Sequence, residues 1–271
     1  MATLTAHAPN TQTIRPWVSR FVRIGYAAKG LIYLLIGTLA LRLALGNGGR
    51  LTDADGALRT IVEQPFGRAL LAIIGGGLTV YAAWELAGAV AVTKLRGASG
   101  RGLMDRGLSV IKAVVYGAVG VQALRMVAGA GASSRDADDY ARTAMRVPMG
   151  DVLLIAIGAG VASYGLKQIV NAWRSEFDDD IDQHQLRREG GSWVVTIGRA
   201  GIGARGVILV LVGAALARAG FDESPAEAGG LAEAMWTVFA QPYGHYLLAA
   251  VAAGLMCFGV FQLLHARYAR V

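Results

Sequence analysis

Six polar side chains recur inside apolar segments, and they are where this sequence could do chemistry. Lys29, Lys112 and Arg205 each follow six residues after an arginine (Arg23, Arg106, Arg199) that opens an apolar run. Glu85, Gln168 and Gln262 lie in apolar runs nine, six and five residues before Lys94, Arg174 and Arg267. A charge inside hydrocarbon is costly and tends to face a protein interior or a water-filled cavity. At 1.5 Å per residue the cations lie about 9 Å from their basic flank, and Glu85 and the two glutamines roughly 8–14 Å from theirs. Both sets therefore fall in one layer. Facing inward, that layer holds three cations, one carboxylate and two carboxamides, a net charge of +2 suited to an anion. Tyr33 and Tyr116 stand one helical turn beyond the lysines and offer hydroxyls, where the third case has Leu209. One Glu against two Gln suits an asymmetric guest. Two other arrangements fit the same residues. The long cations can snorkel to lipid headgroups with Glu85 pairing to Lys29, or Glu85 can serve a proton or ion path.

Helices crossing a bilayer must position this layer. The chain has 271 residues, 54% apolar and only 17% charged, against roughly 25% charged in soluble domains. Such hydrophobicity excludes intrinsic disorder, and Cys257 as the lone cysteine excludes a disulfide scaffold. A span needs about 20 mostly apolar residues, and six stretches qualify: 24–45, 67–92, 107–129, 150–173, 200–219 and 244–266. The fold class is all-α integral membrane with six transmembrane helices. Thirteen Lys and Arg residues flank one side, among them Arg23, Lys94, Arg106, Arg174, Arg199 and Arg267, against six on the other. The positive-inside rule then predicts both termini in the cytoplasm, in a multi-pass protein of the cell membrane. The net charge of +7 reads as topology and not as a nucleic-acid surface.

Internal repetition organises the spans. Arg23, Arg106 and Arg199 open three copies; each has a cation six residues on, a glycine eight further (Gly37, Gly120, Gly213) and a closing arginine (Arg42, Arg125, Arg218). The second span of each copy starts at a Pro-x-Gly: Pro65-Phe66-Gly67, Pro148-Met149-Gly150 and Pro242-Tyr243-Gly244. From that glycine a small residue follows at ten positions (Gly77, Gly160, Gly254), then an aromatic (Tyr81, Tyr164, Phe258), then the polar Glu85, Gln168 or Gln262. Spacings of four keep these on one helix face. A short amphipathic helix precedes each Pro-x-Gly, with apolar residues at i, i+3, i+4, i+7 and i+8, as in Ala54, Ala57, Leu58, Ile61 and Val62. Asp53 and Asp136 stand at N-cap positions, and Gly230 takes that place in the third copy. These helices are expected along the outer membrane surface.

The Gly25-Tyr26-Ala27-Ala28-Lys29-Gly30 opening, the Gln-Pro-Phe-Gly and Gln-Pro-Tyr-Gly turns and the triplication resemble the bacterial domain of unknown function 1206, over about residues 20–270. That resemblance implies a two-helix membrane unit repeated three times and brings no catalytic residue or substrate with it. Copy two departs from the turn pattern with Val147 and Met149. The expected divisions are a cytoplasmic tail (1–22), repeat 1 (23–97), repeat 2 (98–177), an acidic and polar cytoplasmic linker (178–198) and repeat 3 (199–271). Three hairpins in one orientation predict repeats related about the membrane normal, a pseudo-threefold bundle packed through its glycines.

No phosphate loop, nucleophile elbow or zinc motif appears. The acidic run Glu176, Asp178, Asp179, Asp180 and Asp182 lacks EF-hand spacing and reads as a solvated linker. His265 is a lone histidine without a second haem ligand at helical spacing. No cofactor or metal is expected, and no enzyme. The expected function is a small transporter or channel-like protein in which Lys29, Lys112 and Arg205 hold an anionic solute or amphiphile, oriented by Glu85, Gln168 and Gln262. The alternative is a non-enzymatic structural or assembly subunit. The expected partners are the lipid bilayer and an anionic small molecule or lipid, with room for a protein partner, but not nucleic acid.

Overall fold

The computed structural model describes residues 16–95, 100–129, 137–146, 149–174, 183–224 and 227–268, with side chains over 23–87, 107, 109–110, 113–129, 141–146, 149–174, 193–224 and 227–266. Six helices are long: α1 (Pro16–Ala44), α3 (Gly67–Leu95), α4 (Gly100–Val127), α6 (Gly150–Arg174), α7 (Gln183–Phe221) and α9 (Gly244–Tyr268). Three are short: α2 (Ala54–Val62), α5 (Ala137–Met145) and α8 (Leu231–Phe239). No strand occurs among the described residues. Five helical segments are long and apolar enough to cross a membrane: Arg23–Ala44, Gly67–Ala87, Gly150–Arg174, Trp193–Phe221 and Gly244–Ala266. The apolar stretch of α4, Ala113–Val127, is shorter among the described residues. Two helices outrun the spans read from hydropathy. α1 starts at Pro16, and α7 starts at Gln183, so 183–198 is helix where a linker was expected. Hydropathy finds where a helix is apolar, but Gln, Leu, Arg and Glu favour helix outside lipid as well.

The short helices form where capping and amphipathicity placed them. The Asp53 side chain accepts a hydrogen bond from the Gly56 backbone N–H at 3.0 Å, while Gly230 supplies no side-chain cap to α8. Asp136 lies outside the described residues. Ala57, Leu58 and Ile61 of α2, Ala141 of α5, and Ala234 and Met235 of α8 are buried. The turn that follows is alike in all three copies. Phe66, Met149 and Tyr243 have φ of 62°, 64° and 62°, a left-handed conformation that costs a side-chain-bearing residue about 1–2 kcal/mol. The glycine after each is obligatory: a Cβ on Gly67, Gly150 or Gly244 would collide with the carbonyl oxygen of Ile61, Ala144 or Phe239.

The long helices pair between repeats more closely than within them. α1 packs most extensively on α9, α4 on α3, and α7 on α6. Small residues set these seams. A Cβ on Gly30 would lie 2.8 Å from the Gly259 carbonyl oxygen, one on Gly206 2.8 Å from that of Gly165, and one on Gly213 2.6 Å from that of Gly158. Ala113 and Ala82, at the positions matching Gly30 and Gly259, are both buried in the α4–α3 seam. Gly77, Gly160 and Gly254, the small residues of the even-helix stripe, are not the ones at these inter-repeat seams. The inter-repeat contacts fall to residues eight and fifteen after the turn glycine, Gly158 and Gly165 in the second copy. Gly77 and Gly254 seat the first helix of their own repeat, Gly77 against Ile24 and Gly25, Gly254 against Ala200 and Ala204. A Gly-x-Gly pair two apart on a helix presents roughly 200° of its circumference, so one helix serves two neighbours.

Repeat two breaks this rule. α1 packs on α3 and α7 on α9, but α4 does not pack on α6 among the described residues. Likewise α2 packs on both α1 and α3, and α8 on both α7 and α9, whereas α5 packs on α6.

Candidate anion-binding site

A cavity of about 380 Å³ runs between α1, α4, α6 and α7. Lys29, Tyr33, Tyr116, Tyr164 and Arg205 line its polar end. Its walls continue through Ile32, Ile36, Val115, Val119, Ile157 and Val161, and Asp53, Ala54 and Leu231 from the short helices close the far end. Four residues singled out by their spacing, Lys29, Tyr33, Tyr116 and Arg205, thus meet in one wall although they come from three repeats. The side chain of Lys112 lies outside the described residues.

Arg205 is the best-defined group. It is 8% exposed. Its Nε donates to the Tyr33 hydroxyl at 3.2 Å, and one Nη donates to the Tyr116 hydroxyl at 3.5 Å. Its guanidinium carbon lies 5.0 Å from the Phe258 ring centre and 5.9 Å from those of Tyr33 and Tyr164. No carboxylate forms an ion pair with Arg205 among the described residues. A guanidinium has five N–H donors, so the two phenols leave donors to spare. Lys29 is 7% exposed. Its Nζ lies 4.7, 5.4 and 5.9 Å from the ring centres of Tyr116, Phe258 and Tyr81. Aromatic faces within about 6 Å attract a cation and offset part of its desolvation. Phe258 lies against both cations, and edge-to-face contacts join Tyr33 to Phe258 (4.8 Å) and Tyr81 to Tyr116 (5.4 Å). The cations therefore stand on an aromatic floor.

The other polar residues of the expected layer are not in the cavity wall. Glu85 accepts a hydrogen bond from the Tyr81 hydroxyl at 2.7 Å. Gln168 and Gln262 are buried, at 8% and 3% exposure, and the Gln168 Oε1 has no hydrogen-bond partner among the described residues. The helical period explains the separation. Each polar residue follows an aromatic by four positions, on the same face, so it lies one turn beyond the floor, away from Gly160 and the apolar walls. His265 is buried and stacks on Tyr26 with ring centres 4.1 Å apart. The acidic run at 176–182 lies outside the described residues.

Sequence reasoning missed Tyr164 and Phe258 as site residues. It placed them on the packed stripe, but the interval of four that made them a stripe also puts aromatics beside Lys29 and Arg205. Asp53, read only as a helix cap, also borders the far end of the cavity.

Comparison with known proteins agrees with the repeat pattern. The family described as Domain of Unknown Function (DUF1206) matches three times, over residues 24–91, 109–175 and 200–269. The chain is 32% identical over 257 residues, 95% of its length and 93% of the relative's, to a protein of Bacillus subtilis (strain 168) named "Uncharacterized protein YxxB". No solved structure matches. Three family matches laid end to end, each taking in one cation, one Pro-x-Gly turn and one terminal polar residue of the stripe, make this chain a member of the domain of unknown function 1206 family.

Proposed function

We propose that this protein binds the anionic group of a small solute or amphiphile at the basic end of its cavity and moves it through or along the membrane, as a small transporter or channel-like protein without enzymatic activity. The reading includes six spans in three parallel hairpins about a pseudo-threefold axis, both termini in the cytoplasm, and residence in the cytoplasmic membrane. One observation carries it: the buried guanidinium of Arg205, in a cavity wall, held by neutral hydroxyls and aromatic faces and with no carboxylate partner among the described residues. A buried charge without a counter-charge is costly, and an anion in the cavity would supply one. In this reading Arg205 and Lys29 hold the charge and Lys112 completes the set. Tyr33 and Tyr116 fix the guanidinium plane, while Glu85, Gln168 and Gln262 act from below the aromatic floor.

The test is calorimetric titration of the protein in phosphatidylcholine nanodiscs with inorganic phosphate and with dodecyl phosphate. At least one should bind the wild type. Replacing Lys29→Gln and Arg205→Gln together should weaken binding by roughly ten- to a hundredfold, the loss expected for charge-assisted hydrogen bonds, with the helical content unchanged. Unaltered binding by a folded double variant would contradict the reading.

A further inference from the structure

The three repeats are not equally closed. The residues three positions after each cation correspond to one another: Ile32 and Ile208 are 4% and 1% exposed, but Val115 is 52% exposed. Seven residues after the turn glycine, Ile74 is 1% exposed and its counterpart Ile157 is 38% exposed. Gly160 would seat α4 as Gly77 seats α1 and Gly254 seats α7, yet a Cβ added there, or at Gly107 of α4, meets no described atom within 4 Å. Val115, Ile157 and Gly160 all line the cavity. Among the described residues, the seam between α4 and α6 is therefore a side opening of the cavity, and those lining it are apolar.

We infer that this seam admits a single-chain amphiphile with an anionic headgroup from the bilayer, seating the headgroup at Lys29 and Arg205 and the chain along the apolar walls. The inference rests on the proposed anion-binding reading and specifies its ligand. Three observations choose this occupant over a soluble anion. A soluble ion has no reason to pass an opening lined by Val115 and Ile157. The wall from Arg205 to Leu216, both lining the cavity, spans about 16 Å at 1.5 Å per residue. That is close to one leaflet's share, about 15 Å, of a hydrocarbon core about 30 Å thick. Charge is confined to one end of the described walls apart from Asp53, whose side chain caps α2. This is the polarity of a headgroup and its chain.

The experiment uses full-length protein in phosphatidylcholine nanodiscs and a palmitic acid analogue carrying a photoreactive diazirine in mid-chain. Crosslinks are expected on α4 and α6 at cavity-lining positions. Unlabelled dodecyl phosphate should compete at least tenfold better than dodecanol or inorganic phosphate. Gly160→Phe fills the opening, and the free space there lets the variant fold; it should reduce crosslinking at least fivefold. Gly76→Phe, on a glycine equally open but outside the cavity wall, should leave crosslinking unchanged. Crosslinks that persist in Gly160→Phe, or that map to the outer surface, overturn the inference. So does a dimer that Gly160→Phe disperses, which would assign the seam to a second copy. If phosphate competes as well as dodecyl phosphate and both need Arg205, this inference fails and the anion site stands. If palmitate crosslinks within the cavity equally in the Lys29→Gln/Arg205→Gln variant, the anion site itself fails.

Discussion

Arg205 donates its Nε–H to the Tyr33 hydroxyl at 3.2 Å, across a sequence separation of 172 residues. One bond thereby joins the first helix of repeat three to the first helix of repeat one inside the cavity wall. It uses the position at which the copies differ, since Tyr33 and Tyr116 are matched by Leu209. The arginine sits in the copy that lacks the phenol and takes its acceptors from the two copies that have it. Tyr33→Phe would leave the Nε–H without its acceptor, and unfolding stability should fall by about 1.5–3 kcal/mol. Because that donor then becomes available to a guest, affinity for dodecyl phosphate should be retained or rise. Thermal unfolding and calorimetry on the same preparation check both outcomes. A loss of affinity with no loss of stability would contradict the assigned role.

The glycine seams are expected to rank by contact. Gly206→Leu and Gly30→Leu drive a side chain into the backbone carbonyls of α6 and α9; overpacking of this kind costs roughly 1–3 kcal/mol and sometimes more. Gly160→Ala, which meets no described neighbour, should leave stability unchanged or raise it by up to about 1 kcal/mol through helix propensity. Melting curves of the three variants in one detergent would show the ranking, and equal losses for all three would refute it.

Helix capping offers a second, independent pair. Asp53→Ala removes the bond to the Gly56 N–H and should cost about 0.5–2 kcal/mol. Gly230 has φ −91° and ψ −162°, an extended conformation open to any residue, and gives no side-chain cap. Gly230→Ser should therefore gain a few tenths of a kcal/mol. Opposite signs in chemical unfolding are the expected result.

The three Pro-x-Gly turns carry the topology. Phe66, Met149 and Tyr243 are 90%, 71% and 81% exposed. Single cysteines at these positions, in a Cys257→Ser background, should all react with a membrane-impermeant maleimide from outside intact cells. A cysteine placed in the N-terminal tail should not. Mixed sidedness among the three turns would break the parallel arrangement of the repeats.

Much of this was legible in the sequence because repetition checks itself. Three aligned Pro-x-Gly turns marked the starts of α3, α6 and α9, and Asp53 marked the start of α2. The matched cations indicated the cavity wall, where Lys29 and Arg205 lie with both predicted tyrosines. What spacing could not supply was position along and around a helix at the resolution of one residue. Glu85, Gln168 and Gln262 lie one turn beyond Tyr81, Tyr164 and Phe258 on the same face, and none of the three is in the cavity wall. The partners of the glycines were displaced for a similar reason, since Gly158 and Gly160 differ by about 200° around α6. The open seam in repeat two was hidden altogether. An alignment of repeats shows which residues correspond, whereas opening depends on whether corresponding helices touch.

Arg205 itself offers the most direct measurement. Arginine side chains labelled with 15N, and the Arg205 Nε resonance assigned by its loss in Arg205→Lys, allow the guanidinium to be followed during titration with dodecyl phosphate. The expected result is a saturable shift of that resonance, while the resonances of Arg42 and Arg125, which are not in the cavity wall, stay in place. An unmoved Arg205 resonance alongside shifting surface arginines would show that the anion binds elsewhere, and would contradict the site.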